Sequence, residues 1–169
     1  GGLLQDAVRI SGLVIKEGPV VGVQDTQKRK QILADEDPAV QYSGPLMVLT
    51  SRVSASASEI LAGALKGYKR ALIVGGDHTF GKGSVQMLNA LPMELGGMKY
   101  TTAMYFLPNG PSTQNEGVTA DIALPSPFSN DEIGEKNLPY ALSAVSIDPF
   151  IGTSANAKNT SEAWNEINT

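Results

Sequence analysis

The sequence has 169 residues, 41% of them hydrophobic, which is enough for one folded domain with its own core. Its thirteen basic and seventeen acidic residues leave a net charge of −4 and form no basic stripe that would follow a phosphate backbone, so nucleic acid is not an expected partner. With no cysteine and a single histidine, His78, the chain excludes disulfides, thiolate catalysis and multi-histidine metal sites, and no apolar run reaches the roughly 18 residues that a bilayer span requires.

The chain opens at Gly1-Gly2-Leu3-Leu4 and enters a helical pattern at once, as expected of a piece of a longer protein. Leu4, Ala7, Val8, Ile10, Leu13 and Val14 recur at helical spacing, and Gly18-Pro19 ends the segment. Val20 to Val23 is a short apolar run, and the polar stretch from Gln24 to Ser43 reads as a surface excursion or loose hairpin. Pro45 to Thr50 and Ala71 to Val74 are continuous apolar runs of the kind found in strands covered on both faces. Between them Ile60, Leu61, Ala64, Leu65 and Tyr68 share one helical face, so the order strand, helix, strand predicts a right-handed βαβ crossover and a parallel pair. Lys99 to Leu107 reads as a strand running into a turn at Pro108-Asn109-Gly110. From Pro125 onward Pro, Ser, Asn and Asp cluster, which divides the chain into a core at 1–124 and an irregular C-terminal extension at 125–169.

Two residues attract a chemical reading. Ser56 lies between a buried strand and the start of a helix, where the N–H of Ala57 is one of the donors that a helix leaves unpaired. A serine there can act as a nucleophile if a base takes its proton and N–H groups meet the oxyanion. It can equally be a helix cap, as can Ser54 and Ser58. Lys82, flanked by Gly81 and Gly83, is either that base, if burial lowers its pKa from the usual value of about 10.4, or a solvated loop lysine. His78 in its polar loop reads as exposed or capping. Gly76 to Lys82 also satisfies seven positions of a phosphate-binding loop, but Gly83 stands where that loop needs Ser or Thr, and Gly83 to Leu88 reads as extended instead of helical.

The runs Ser54-Ala55-Ser56-Ala57-Ser58-Glu59-Ile60, Arg70 to Gly75, Thr79-Phe80-Gly81-Lys82-Gly83 with Gln86, Ser112-Thr113-Gln114 and Gly117-Val118-Thr119-Ala120-Asp121-Ile122 together resemble the C-terminal processing peptidases, or tail-specific proteases. The opening Gly1-Gly2-Leu3-Leu4 is similar to the end of a glycine-pair segment in that family, and Ile133-Gly134-Glu135 with Leu138-Pro139 is similar to the extension of its longer members. The resemblance implies an α/β fold of the crotonase and Clp-protease type, here an incomplete domain, and a serine endopeptidase acting on protein or peptide substrates near unstructured C-terminal regions. It implies Ser56 as nucleophile, Lys82 as base, Gln86 as the group positioning the lysine, and Gly2 and Ala57 as the oxyanion hole. It implies no metal or organic cofactor, a periplasmic setting, and nothing about an adaptor or oligomer. The alternative is a catalytically silent, peptidase-like binding or assembly fragment. The sequence departs from the family at Gly67, where an aspartate is usual, and at Gly75-Gly76-Asp77-His78-Thr79, which is one residue longer than expected and sets Ser56 and Lys82 26 residues apart.

Overall fold

A computed structural model of the protein describes residues 2–152. Helix α1 (Leu4–Gly12) is followed by strands β1 (Pro19–Asp25) and β2 (Lys30–Ala34), then β3 (Met47–Thr50), helix α2 (Ala57–Gly67) and β4 (Leu72–Gly75). Strands β5 (Ser84–Ala90), β6 (Gly97–Phe106) and β7 (Ile122–Ala123) complete the list, with one 3-10 turn at Glu135–Asn137. The fold is mixed α/β. No helix among the described residues is long and apolar enough to cross a membrane.

Two sheets result, and both adjoin α2. The first is antiparallel in the order β2-β1-β6-β5, and the second is parallel in the order β3-β4-β7. The predicted β3-α2-β4 crossover is present, with Val48 opposite Ile73 and Leu49 opposite Val74. The expectation that both of its strands are covered on two faces holds for β4, where Leu72, Ile73 and Val74 are buried, and fails for β3. Strand β3 is at the edge of its sheet, and Met47 and Leu49 are 59% and 78% exposed, because only the face carrying Val48 meets the core.

Helix α2 is the axis of the molecule. Ile60, Ala64, Leu65 and Tyr68 pack with Ala7 and Val8 of α1, Val20 and Val21 of β1, and Tyr105 of β6. Its opposite face, at Ala62, meets Ile73 and Leu107. A side chain at Gly63 would come within 2.5 Å of Leu107, so the glycine lets helix and strand approach. The helix stops where Lys69 takes a positive φ of 54° and the Arg70 N–H reaches back to the Leu65 carbonyl. Arg70 itself is buried with no carboxylate partner among the described residues, and donates to the carbonyls of Val14, Tyr42 and Gly44. That tethers the otherwise polar 24–43 excursion, which contains β2, to the end of α2.

The extension beyond Leu124 is irregular, as its composition predicts, but it is attached. Ser112 N–H donates to Val145, Ile147 N–H to Gly110, and Phe150 N–H to Pro108, so the extension runs along the turn after β6. The stretch after Lys82 is strand β5 and not a helix, which removes the phosphate-loop reading.

Candidate active site

Ser56 is the N-cap of α2, so the capping reading and the nucleophile reading fall on one residue. Its backbone is unusual for a cap: φ is 61° and ψ is −117°, a region that residues with a side chain rarely occupy and that costs on the order of 1–3 kcal/mol. Two groups hold it there. The Glu59 carboxylate accepts the Ser56 N–H at 2.8 Å, and the Tyr105 hydroxyl lies 3.3 Å from the Ser56 carbonyl oxygen. Ser-x-x-Glu is a capping-box pattern, so the Glu59 contact was readable from the sequence.

Glu59 does more than cap. It is 0% exposed, and besides Ser56 it accepts the N–H groups of Gly81 (2.7 Å) and Lys82 (2.9 Å) and the hydroxyl of Thr79 (2.5 Å). One carboxylate oxygen, Oε2, therefore takes the backbone N–H of both Ser56 and Lys82. Burial pushes the Glu59 carboxyl up, while the four donated bonds pull it back. Three of the four partners are backbone N–H groups, which can only donate and so suit the carboxylate form. On the carbonyl side Tyr105 repeats the link, bonding to the Lys82 carbonyl as well as approaching that of Ser56, with Thr113 Oγ1 2.6 Å from the phenol oxygen. Sequence reasoning missed Tyr105, which is 49 residues from Ser56 and has no local signature.

The lysine loop is fastened throughout. The N–H groups of Thr79, Phe80, Gly81, Lys82 and Gly83 are taken by the Val118 carbonyl, the Ser54 carbonyl, Glu59 twice, and Gln114 Oε1. Gly117, with φ 70°, packs so closely that a side chain would meet the Thr79 carbonyl at 2.5 Å. Ahead of Thr79 the chain turns, with Gly75 (φ 143°) lying against Thr50 and Asp77 receiving two bonds from Arg52, at 2.9 and 2.6 Å. Those bonds hold the Asp77 carboxyl down at about 2. His78 is engaged here too, its Nδ1 2.6 Å from the Thr79 carbonyl oxygen and its backbone bridged to Thr119.

As a result Gly2, Ser56, Ala57, Lys82 and Gln86 line one cleft, with Leu3, Ile60, Val85 and Met87 as its apolar walls. Gly2 and Ala57 are neighbours: a Cβ on Gly2 would be 3.5 Å from that of Ala57. Ala57 is the first residue of α2, where N–H groups have no intrahelical acceptor. Lys82 is half-buried, and desolvation pushes its pKa below the ordinary lysine value, against the opposing pull of Glu135 and Glu59 and with the push of Lys99. Its Nζ donates to the Ser84 carbonyl (3.0 Å) and the Ser84 hydroxyl (2.8 Å), and among the described residues no direct Ser56–Lys82 side-chain hydrogen bond is made. Gln86 is exposed at the mouth of the cleft, its amide 3.5 Å from Thr101 Oγ1. No group of three or more His, Asp or Glu side chains suited to a metal ion occurs among the described residues.

The tail-specific protease of Haemophilus influenzae is 44% identical over 149 residues, which are 84% of this chain and 21% of that protein. The carboxy-terminal-processing protease of Bartonella bacilliformis is 38% identical over 129 residues, 76% of this chain and 29% of that protein. Among solved structures, a photosystem II D1 C-terminal processing protease superposes with a TM-score of 0.62 at 35% identity, covering 79% of this chain and 37% of that one. The chain thus spans less than a third of the two curated relatives. Residues 1–124 match the model of peptidase family S41, and the chain belongs to that family.

Proposed function

We propose that the protein is a serine endopeptidase of the C-terminal processing type, working through a Ser56/Lys82 dyad on protein or peptide substrates. The observation that carries the reading is that one buried carboxylate, Glu59, and one phenol, Tyr105, tie the backbones of Ser56 and Lys82 together at the rim of an apolar cleft. Neutral Lys82 Nζ takes the proton of Ser56 Oγ as Oγ bonds to the substrate carbonyl carbon. The N–H groups of Gly2 and Ala57 receive the oxyanion. The Lys82 ammonium then protonates the departing amine, leaving an acyl-Ser56 ester. Water attacks the ester, Lys82 takes its proton, and collapse returns that proton to Ser56 Oγ as the acid leaves. Burial of Nζ favours the neutral amine, against the opposing pull of Glu135 and Glu59.

The crotonase and Clp-protease type of architecture, of which 1–124 would form part, belongs to the same proposal, supported by the parallel β3-α2-β4 unit with the nucleophile at its helix start. So does a periplasmic setting, which rests on the likeness to tail-specific proteases. One observation favours the second reading, a silent peptidase-like fragment: among the described residues the Ser56 and Lys82 side chains make no direct hydrogen bond. A serine-directed phosphonate separates the two. Covalent labelling at Ser56, abolished in Ser56→Ala and Lys82→Ala, supports the enzyme, and a chain inert in both its native and substituted forms supports the fragment. In peptide hydrolysis either substitution is expected to lower kcat by on the order of 10⁴-fold or more.

A further inference from the structure

Ser84 is buried, 5% exposed, at the first position of β5, and it faces the same cleft as Lys82. It offers Nζ two acceptors, its carbonyl at 3.0 Å and its hydroxyl at 2.8 Å. A neutral amine has two N–H bonds and one lone pair. If both N–H bonds are spent on Ser84, the lone pair is left for the cleft that Lys82 and Ser56 both line. We propose that Ser84 is a positioning residue of the dyad, whose hydroxyl and carbonyl together fix the rotation of the Lys82 amine so that its lone pair meets the Ser56 hydroxyl. This rests on the peptidase reading above and adds to it a third member on the strand that follows the lysine.

The two acceptors are complementary. The carbonyl is fixed by the β5 backbone, while the hydroxyl closes the second corner; with the carbonyl alone the amine rotates about a single bond and the lone pair sweeps through solvent. The hydroxyl also accepts from the ammonium that forms when Lys82 has taken a proton, and so stabilises the charged form. The charged groups that act on Nζ from neighbouring elements are Glu59 of α2, Lys99 of β6 and Glu135 of the 3-10 turn, and none of them is altered by a change at Ser84.

The test uses the full chain with Ser84→Ala and Ser84→Thr, the second keeping the hydroxyl. Two readouts are taken: the rate of phosphonate labelling at Ser56 as a function of pH, and the titration of Lys82 followed through its own ¹³Cε resonance. In Ser84→Ala the labelling rate on the high-pH plateau, where the amine is neutral in every form, is expected to fall by roughly 10-fold, a small part of what general-base catalysis supplies. The Lys82 titration should move to lower pH because the ammonium has lost an acceptor, and Ser84→Thr should restore both to near the native values. Labelling and titration unchanged in Ser84→Ala overturn the proposal. So does a slower rate with an unmoved titration, which would mark a merely structural effect. If the native chain does not label at all, the peptidase reading of this chain fails, and the titration still decides whether Ser84 holds the amine.

Discussion

In the proposed dyad Lys82 has to be neutral, and the burial that pushes it in that direction opposes folding. Its folded pKa is depressed, so the folded state disfavours the ammonium; the associated stability is fully present only above the unfolded value of about 10.4 and is lost as pH falls. Two outcomes follow for one residue. The rate of Ser56 acylation should rise with pH along a limb whose midpoint lies below that ordinary lysine value, read from a pH profile of kcat/KM. Lys82→Met should be inactive yet raise the thermal midpoint at neutral pH, with the gain shrinking toward pH 10. Glu59 behaves in the opposite sense. Glu59→Gln replaces an acceptor of four bonds by a group that is half donor, so it leaves backbone N–H groups of the lysine loop facing an amide NH₂. It is expected to lower stability by roughly 3 kcal/mol in denaturant unfolding and to slow Ser56 labelling, although its carboxylate touches no substrate.

The element at risk is the turn between β4 and the lysine. Arg52, 5% exposed, holds this turn by gripping Asp77 while also reaching Asp131 and the Asn130 carbonyl. Since Asp77 is held down at about 2, its contribution is present above the ordinary carboxyl value of about 3.9 and disappears as pH falls to about 2. Asp77→Asn should therefore lower the thermal midpoint at neutral pH, flatten its fall between about pH 4 and about 2, and reduce the labelling rate at Ser56. An Asp77→Asn protein with a native acid profile would show that the turn holds its shape without the ion pair.

At the scale of the whole molecule, the C-terminal extension is part of the fold that presents the site. Its Glu135 N–H bonds the Phe80 carbonyl beside the lysine loop, and the Leu142 carbonyl accepts from Gln114 and Asn115, of which Gln114 also holds Gly83. A chain ended after Leu124 is expected to melt earlier and to label more slowly at Ser56 than the full chain, measured by thermal denaturation and phosphonate reaction; equal behaviour would make the extension an appendage. The sequence by itself determined the parallel β3-α2-β4 unit, because apolar runs and a 3.6-residue period are local signals, and it determined which serine and lysine to consider, because their motifs lie in short contiguous runs. It left the cap open among Ser54, Ser56 and Ser58. Only the tertiary structure decided that Glu59 serves the lysine loop as well as the helix, that Tyr105 bonds to Lys82 and lies close to Ser56, that Ser84 and not Gln86 takes the amine in this arrangement, and that β3 is left half-exposed at a sheet edge. Those contacts join residues from different elements, and their geometry comes from how α2 sits between two sheets, which no spacing along the chain encodes.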